Sequence, residues 1–160
     1  MSEAWVVNAS PLILFARIGR LDLIERCAPT ILVPNAVLQE VLAGLERDRT
    51  AATALEWAER YRIEDIAPGA SIEHWDLGPG ESQVVAHSVG GSRWAVLDDR
   101  AARRCAMAHG IRVIGSLGVV LRSKNNRQID RARPLVNELM AAGMFLDDTF
   151  ANRALAGVGE

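Results

Sequence analysis

The stretch Trp5-Val6-Val7-Asn8-Ala9-Ser10-Pro11-Leu12-Ile13 is an apolar run that stops at a polar Asn-x-Ser and restarts behind a proline as an amphipathic segment. Such a run reads as a β-strand delivering straight into a helix. In an open parallel α/β sheet, ligands and reacting groups gather outside the carboxyl ends of the strands, so Asn8 and Ser10 stand where chemistry is expected. The plainer reading of the same two residues is structural, a turn that caps a helix beginning near Pro11.

The same grammar recurs along the chain. Thr30-Ile31-Leu32-Val33 is a β-branched run ended by Pro34, and Val37, Leu38, Val41, Leu42 and Leu45 follow with a helical period. Trp94-Ala95-Val96-Leu97 is a buried strand that meets Asp98-Asp99, with a helix to His109, a cap at Gly110 and a last strand over 111–114. Further helices are expected at 11–18, 21–27, 50–60, from Gly78-Pro79-Gly80 through Val89, and at 115–123, 133–142 and 147–156, with a short edge strand over 62–66. Strands alternating with helices imply a parallel sheet covered on both faces.

With 160 residues, 49% of them hydrophobic, the chain can bury one core and is too short for two comfortable domains, so one domain over 1–160 is expected. No apolar run reaches membrane-spanning length and the start lacks a leader pattern, which points to a cytoplasmic protein. Cys27 and Cys105 are far apart without metal-ligand spacing and read as buried free thiols. Phosphate-loop, dinucleotide, zinc and nucleophile-elbow patterns are missing from the sequence. His74, His87 and His109 are dispersed and receive no role, and Trp5, Trp57, Trp75 and Trp94 read as core or interface residues.

Charge is uneven despite a net of −2: residues 100–133 carry nine basic side chains against one acid. The block reads either as a phosphate-binding face, with Arg100, Arg103, Arg104, Arg122 and Lys124 among its members, or as solvated helix surfaces partnered by acids elsewhere. Asn8 follows the first strand, Glu40 lies on the helix after the second, Glu81 falls in the first turn of its helix, and Asp98-Asp99 follow the Trp94 strand. Together they suit Mg²⁺ or Mn²⁺, which take hard oxygen ligands and leave room for water and phosphate. Each has a plain alternative: Asp98-Asp99 as a helix cap, Glu81 as a partner of the helix dipole, and Glu40 as a solvated glutamate off its helix's apolar stripe. Glu81 lies toward the apolar face of Val84 and Val85, while Gln83 is expected to point away from it.

Val7-Asn8-Ala9-Ser10-Pro11-Leu12-Ile13, Val33-Pro34 to Glu40-Val41, Gly80-Glu81, Leu97-Asp98-Asp99-Arg100 and Val113-Ile114-Gly115-Ser116-Leu117-Gly118 follow one another in an order that resembles the PIN domains. More narrowly the chain is similar to a PIN-like branch of prokaryotic proteins related to VapC-type toxins, over about residues 5–155. The resemblance implies a three-layer α/β/α sandwich and a ribonuclease whose acidic cluster holds Mg²⁺ or Mn²⁺ to activate water against an RNA phosphodiester. Position by position it places Asn8 at the first acidic site, Glu40 at the second, Glu81 at the third and Asp99 or Asp98 at the fourth, with Asp99 preferred and Ser116 and Ser10 accessory. It also implies RNA contacts for Arg100, Arg103, Arg104, Arg122 and Lys124, a partner antitoxin and a homodimer. The amide at Asn8 departs from the family's acid and brings no charge, so a catalytically weak PIN-like domain that binds RNA or protein stands as the alternative.

Overall fold

Four consecutive residues, Ala4–Val7, form β1, and all four side chains are buried because the strand has a parallel neighbour on each side and helices above and below. The computed structural model describes residues 3–160. After β1 come α1 (Ala9–Arg17), α2 (Asp22–Cys27), β2 (Thr30–Pro34), α3 (Asn35–Ala43), α4 (Thr50–Glu59), β3 (Arg62–Ile63) and α5 (Ala70–Glu73). The second half runs α6 (Pro79–Ser88), β4 (Arg93–Val96), α7 (Arg100–Ala108), β5 (Arg112–Ile114), α8 (Ser116–Asn125), α9 (Arg133–Ala141) and α10 (Asp148–Ala156). No helix among the described residues is long and apolar enough to cross a membrane.

All strand pairings are parallel and the order is β3-β2-β1-β4-β5. The chain therefore builds outward from β1 through β2 to β3, then returns to the other side of β1 to add β4 and β5. That reversal opens a crevice between the carboxyl ends of β1 and β4, where an open α/β sheet binds its ligands. Asn8 follows one of these strands, and Leu97-Asp98-Asp99 follow the other.

α6 is the helix that completes the crevice. It packs against β1, β2 and β4 and lies beside α3 and α7, and Gly80 and 83–88 are buried along it. Pro79 opens the helix behind Gly78, where a missing N–H costs nothing, and this brings Glu81 into the first turn above the strand ends. At the opposite end of the sheet Trp5 and Trp94 stack with centroids 5.8 Å apart, and the Arg122 guanidinium lies over both rings.

Three expectations are corrected. α1 starts at Ala9, earlier than expected, so Pro11 falls within the first turn, where its lack of an N–H is still harmless. Asn8 occupies the cap position by its backbone but its side chain makes no capping bond, and Ser10 is an exposed first-turn residue. The edge strand is only Arg62–Ile63, and a further short helix, α5, holds down one buried side chain, Ile72.

The end of α10 is tied to the start of α9 by Glu160, which accepts hydrogen bonds from the Ala132 and Arg133 N–H groups at 2.6 and 3.1 Å. The Ala132 bond leads in holding this carboxyl below its usual range, with Lys124 helping at 3.4 Å. A carboxyl more acidic folded than unfolded stabilises the fold above its unfolded value, and that contribution is lost as pH falls through the folded value. Glu160→Gln is accordingly expected to lower Tm at neutral pH and to converge with the parent in acid. Thermal unfolding from pH 7 to 2 checks this, and a difference independent of pH contradicts it.

Candidate functional site

The link between β1 and α1 is held by main chain, with Asn8 N–H donating to Val96 C=O of β4 at 3.1 Å. The residue is 1% exposed, and its side-chain Oδ1 is buried with no hydrogen-bond partner. Leaving a buried acceptor unpaired costs about 1–3 kcal/mol. At the mouth of a ligand crevice, such an atom has the character of a group held ready for a cation or a donor.

Across the crevice, Ser116 donates to Asp98 twice, from its N–H to Oδ1 at 2.7 Å and from its hydroxyl to Oδ2 at 2.6 Å. Ser116 is fully buried at the start of α8, so the carboxylate is locked in orientation by both of its oxygens. Gly115 makes the approach possible: a Cβ there would stand 2.9 Å from Asp98 Oδ1 and 2.8 Å from Arg103 Nη1. Asp99 caps α7, its Oδ2 accepting from Ala102 N–H at 2.9 Å, so the capping reading holds for this residue. Capping occupies one oxygen and leaves the residue exposed beside Asp98.

Glu40 is more than a solvated helix residue. Its Oε1 accepts the Gly80 N–H at 2.8 Å across 40 residues of chain. Burial pushes the Glu40 carboxyl above its usual range; the Gly80 N–H works against the shift, and the negative charge of Glu81 adds to it. Gly78 and Gly80 leave room for these two acids, since a Cβ would fall 2.5 Å from Glu81 Oε2 and 2.6 Å from Glu40 Oε1 respectively. In the sequence both glycines read only as helix punctuation, and nothing marks them as clearance for acids distant in the chain.

Two depressions share Asn8, Ser10 and Glu81 in their walls. The larger, of about 750 Å³, adds Asp98, Asp99 and Arg103, and the smaller adds Glu40. The expected site residues are thus brought to one end of the sheet, with Glu81 between Glu40 and the aspartates in this arrangement of walls. Among the described residues, no three His, Cys, Asp or Glu side chains close into a metal-holding group.

A scan of protein families matches residues 4–160 to DUF3368, a PIN domain. The chain belongs to the PIN-domain family. A search of curated proteins finds no match to it. PIN domains are nuclease-type domains that typically use divalent metals and generally bind RNA. The residues present fit such a metal by chemical type: the donors are all hard oxygens, one of them the buried, unpartnered Asn8 Oδ1, and Glu40 and Glu81 repel one another without a cation.

The basic residues of this PIN domain divide in two. Arg103 is half-buried in the wall of the larger depression and donates from Nη1 to Leu97 C=O at 2.9 Å, while Arg100 and Arg104 are exposed on α7. Arg122 and Lys124 are engaged within the molecule, the first over Trp5 and Trp94, the second with Glu160 at 3.4 Å and with Asp130 C=O. Neither lines the depressions, so the structure sets both apart from the crevice that Arg103 helps to wall.

Gln83 is the other correction. It does not point away but is buried, accepting from Ile66 N–H at 2.9 Å and donating to Ile66 C=O at 2.6 Å, because the segment after β3 folds over α6. Gln83→Leu is expected to cost about 1–3 kcal/mol from two lost hydrogen bonds, with divalent-metal affinity unchanged. Denaturant unfolding and calorimetry check the two halves, and a fall in metal affinity would give Gln83 a place among the ligands.

Proposed function

We propose that this PIN domain is a divalent-metal-dependent endoribonuclease whose site is the crevice between β1 and β4. The observation that carries the reading is the orphaned Asn8 Oδ1, set at the strand-order reversal within walls that also hold Glu81, Asp98 and Asp99. Asn8, Glu40, Glu81, Asp98 and Asp99 would hold the metal. When bound, Mg²⁺ or Mn²⁺ supplies an activated water for in-line attack on the phosphodiester and neutralises charge on the leaving oxygen.

The protein's own groups do the rest. Ser116 fixes the Asp98 carboxylate so that it points the same way with or without substrate. Arg103, anchored on Leu97 C=O, keeps guanidinium N–H groups beside the aspartates to receive a phosphate oxygen. Gly80 N–H holds the Glu40 carboxylate in the smaller depression, next to Glu81. Ser10, exposed in the first turn of α1, offers a further hydroxyl at the mouth.

On this reading the chain is a single domain, acts in the cytoplasm as the toxin of a toxin–antitoxin pair, and works as a homodimer restrained by its antitoxin. Purified protein is expected to cut RNA with Mn²⁺ or Mg²⁺, and to lose the activity with EDTA and in Glu81→Gln. Cutting that survives both treatments overturns the assignment. A second reading, a binding domain of weak or no activity, is favoured by the amide at Asn8 and by the absence, among the described residues, of three carboxylates closed on one point. Salt-sensitive RNA binding without metal uptake at millimolar concentration identifies that case.

A further inference from the structure

The larger depression has a second wall. Besides the acids and Arg103, the lining takes in the connection between α9 and α10 and the start of α10, including Met144, Phe145, Leu146 and Phe150. Phe145 is 103% exposed and Phe150 52%, so two phenyl rings stand in water on the rim of the site. Their placement is built rather than loose. Met144 and Leu146 turn inward onto the core on either side of Phe145, and Met144 N–H is fixed to Leu139 C=O at 2.9 Å. Asp147 caps α10 by accepting from Phe150 N–H at 2.7 Å, which fixes the backbone carrying the second ring.

We propose that Phe145 and Phe150 are a stacking rim that receives a base next to the phosphate to be cut. This rests on the nuclease reading above. A strand that offers a phosphate to Arg103 and a base face to Phe145 satisfies both walls at once, whereas a purely apolar partner leaves the acids and the guanidinium uncompensated. A duplex keeps its bases stacked inside and has no face to give. Arg100 and Arg104, exposed on the adjoining helix α7, extend the path for the backbone.

The test uses fluorescence anisotropy in EDTA, where nothing is cut, with a labelled single-stranded 12-mer RNA, the same 12-mer made duplex, and one with a base removed. Because Phe145 is fully exposed, its variants keep the fold. The parent is expected to bind the single strand at least about tenfold tighter than the duplex, within the range of base–aromatic stacking. Phe145→Ala should lose about that factor on the single strand alone, Phe145→Trp should keep it, and the base-deleted RNA should bind the parent as the intact RNA binds Phe145→Ala. Equal affinity of parent and Phe145→Ala overturns the proposal. So does sedimentation showing a parent dimer that Phe145→Ala makes monomeric, since the rim is then a contact between copies. A parallel Mn²⁺ cleavage assay separates the two layers. Cutting with Phe145-independent binding rejects the rim and keeps the nuclease; Phe145-dependent binding without cutting supports the rim and rejects the nuclease.

Discussion

Asn8→Asp is expected to raise divalent-metal affinity about a hundred-fold and, without metal, to destabilise the fold. Two unit charges 4 Å apart interact by about 4 kcal/mol at an effective dielectric of about 20, and a divalent cation doubles that. A hundred-fold gain needs only about 2.7 kcal/mol, so it survives a large loss to solvation. In the metal-free protein the same carboxylate sits at a position 1% exposed in a wall it shares with Glu81 and Asp98, and an uncompensated buried charge there costs about 3–5 kcal/mol. The variant should therefore melt lower than the parent in EDTA and gain more from Mn²⁺ than the parent gains. Thermal unfolding and calorimetry read both signs; equal Mn²⁺ affinity with an unchanged melting curve places the cation elsewhere.

Asp98 separates charge from position. Asp98→Ala strips Ser116 of both acceptors at a fully buried site, and two hydrogen bonds to a charged group make a loss of about 3 kcal/mol in stability the expected result. RNA cutting should fall by at least about a hundred-fold, as for loss of a group that orients or binds the metal. Asp98→Asn keeps an amide oxygen for the Ser116 N–H, and the Ser116 hydroxyl can rotate to accept from the new amide. It should fold nearly as well as the parent and still lose activity. Full activity in Asp98→Asn assigns Asp98 to the architecture of α8 alone.

The fold was legible where the chain marks its own boundaries. Pro34 ends β2, Gly78-Pro79 starts α6 and Gly110 closes the turn after α7, each through local backbone chemistry that needs no distant partner. α5 escaped because four residues with one buried side chain carry no period. The candidate site was legible only as residue types at chain positions, since Asn8 and Asp98-Asp99 follow strands whatever the strand order. Long-range partners decided the rest. Gln83 is bonded to Ile66, 17 residues earlier, Glu40 is held by an N–H 40 residues later, and Arg122 is drawn to two tryptophans from β1 and β4. A charge block read along the chain counts Arg122 and Lys124 with Arg103, although only Arg103 lines the crevice.

Anomalous diffraction from crystals soaked in Mn²⁺ tests the central claim most directly. A peak about 2.1 Å from Asn8 Oδ1, in the crevice walled by Glu81, Asp98 and Asp99, is the expected result. Full-occupancy Mn²⁺ elsewhere on the molecule, with Asn8 Oδ1 bonded only to water or protein, contradicts it.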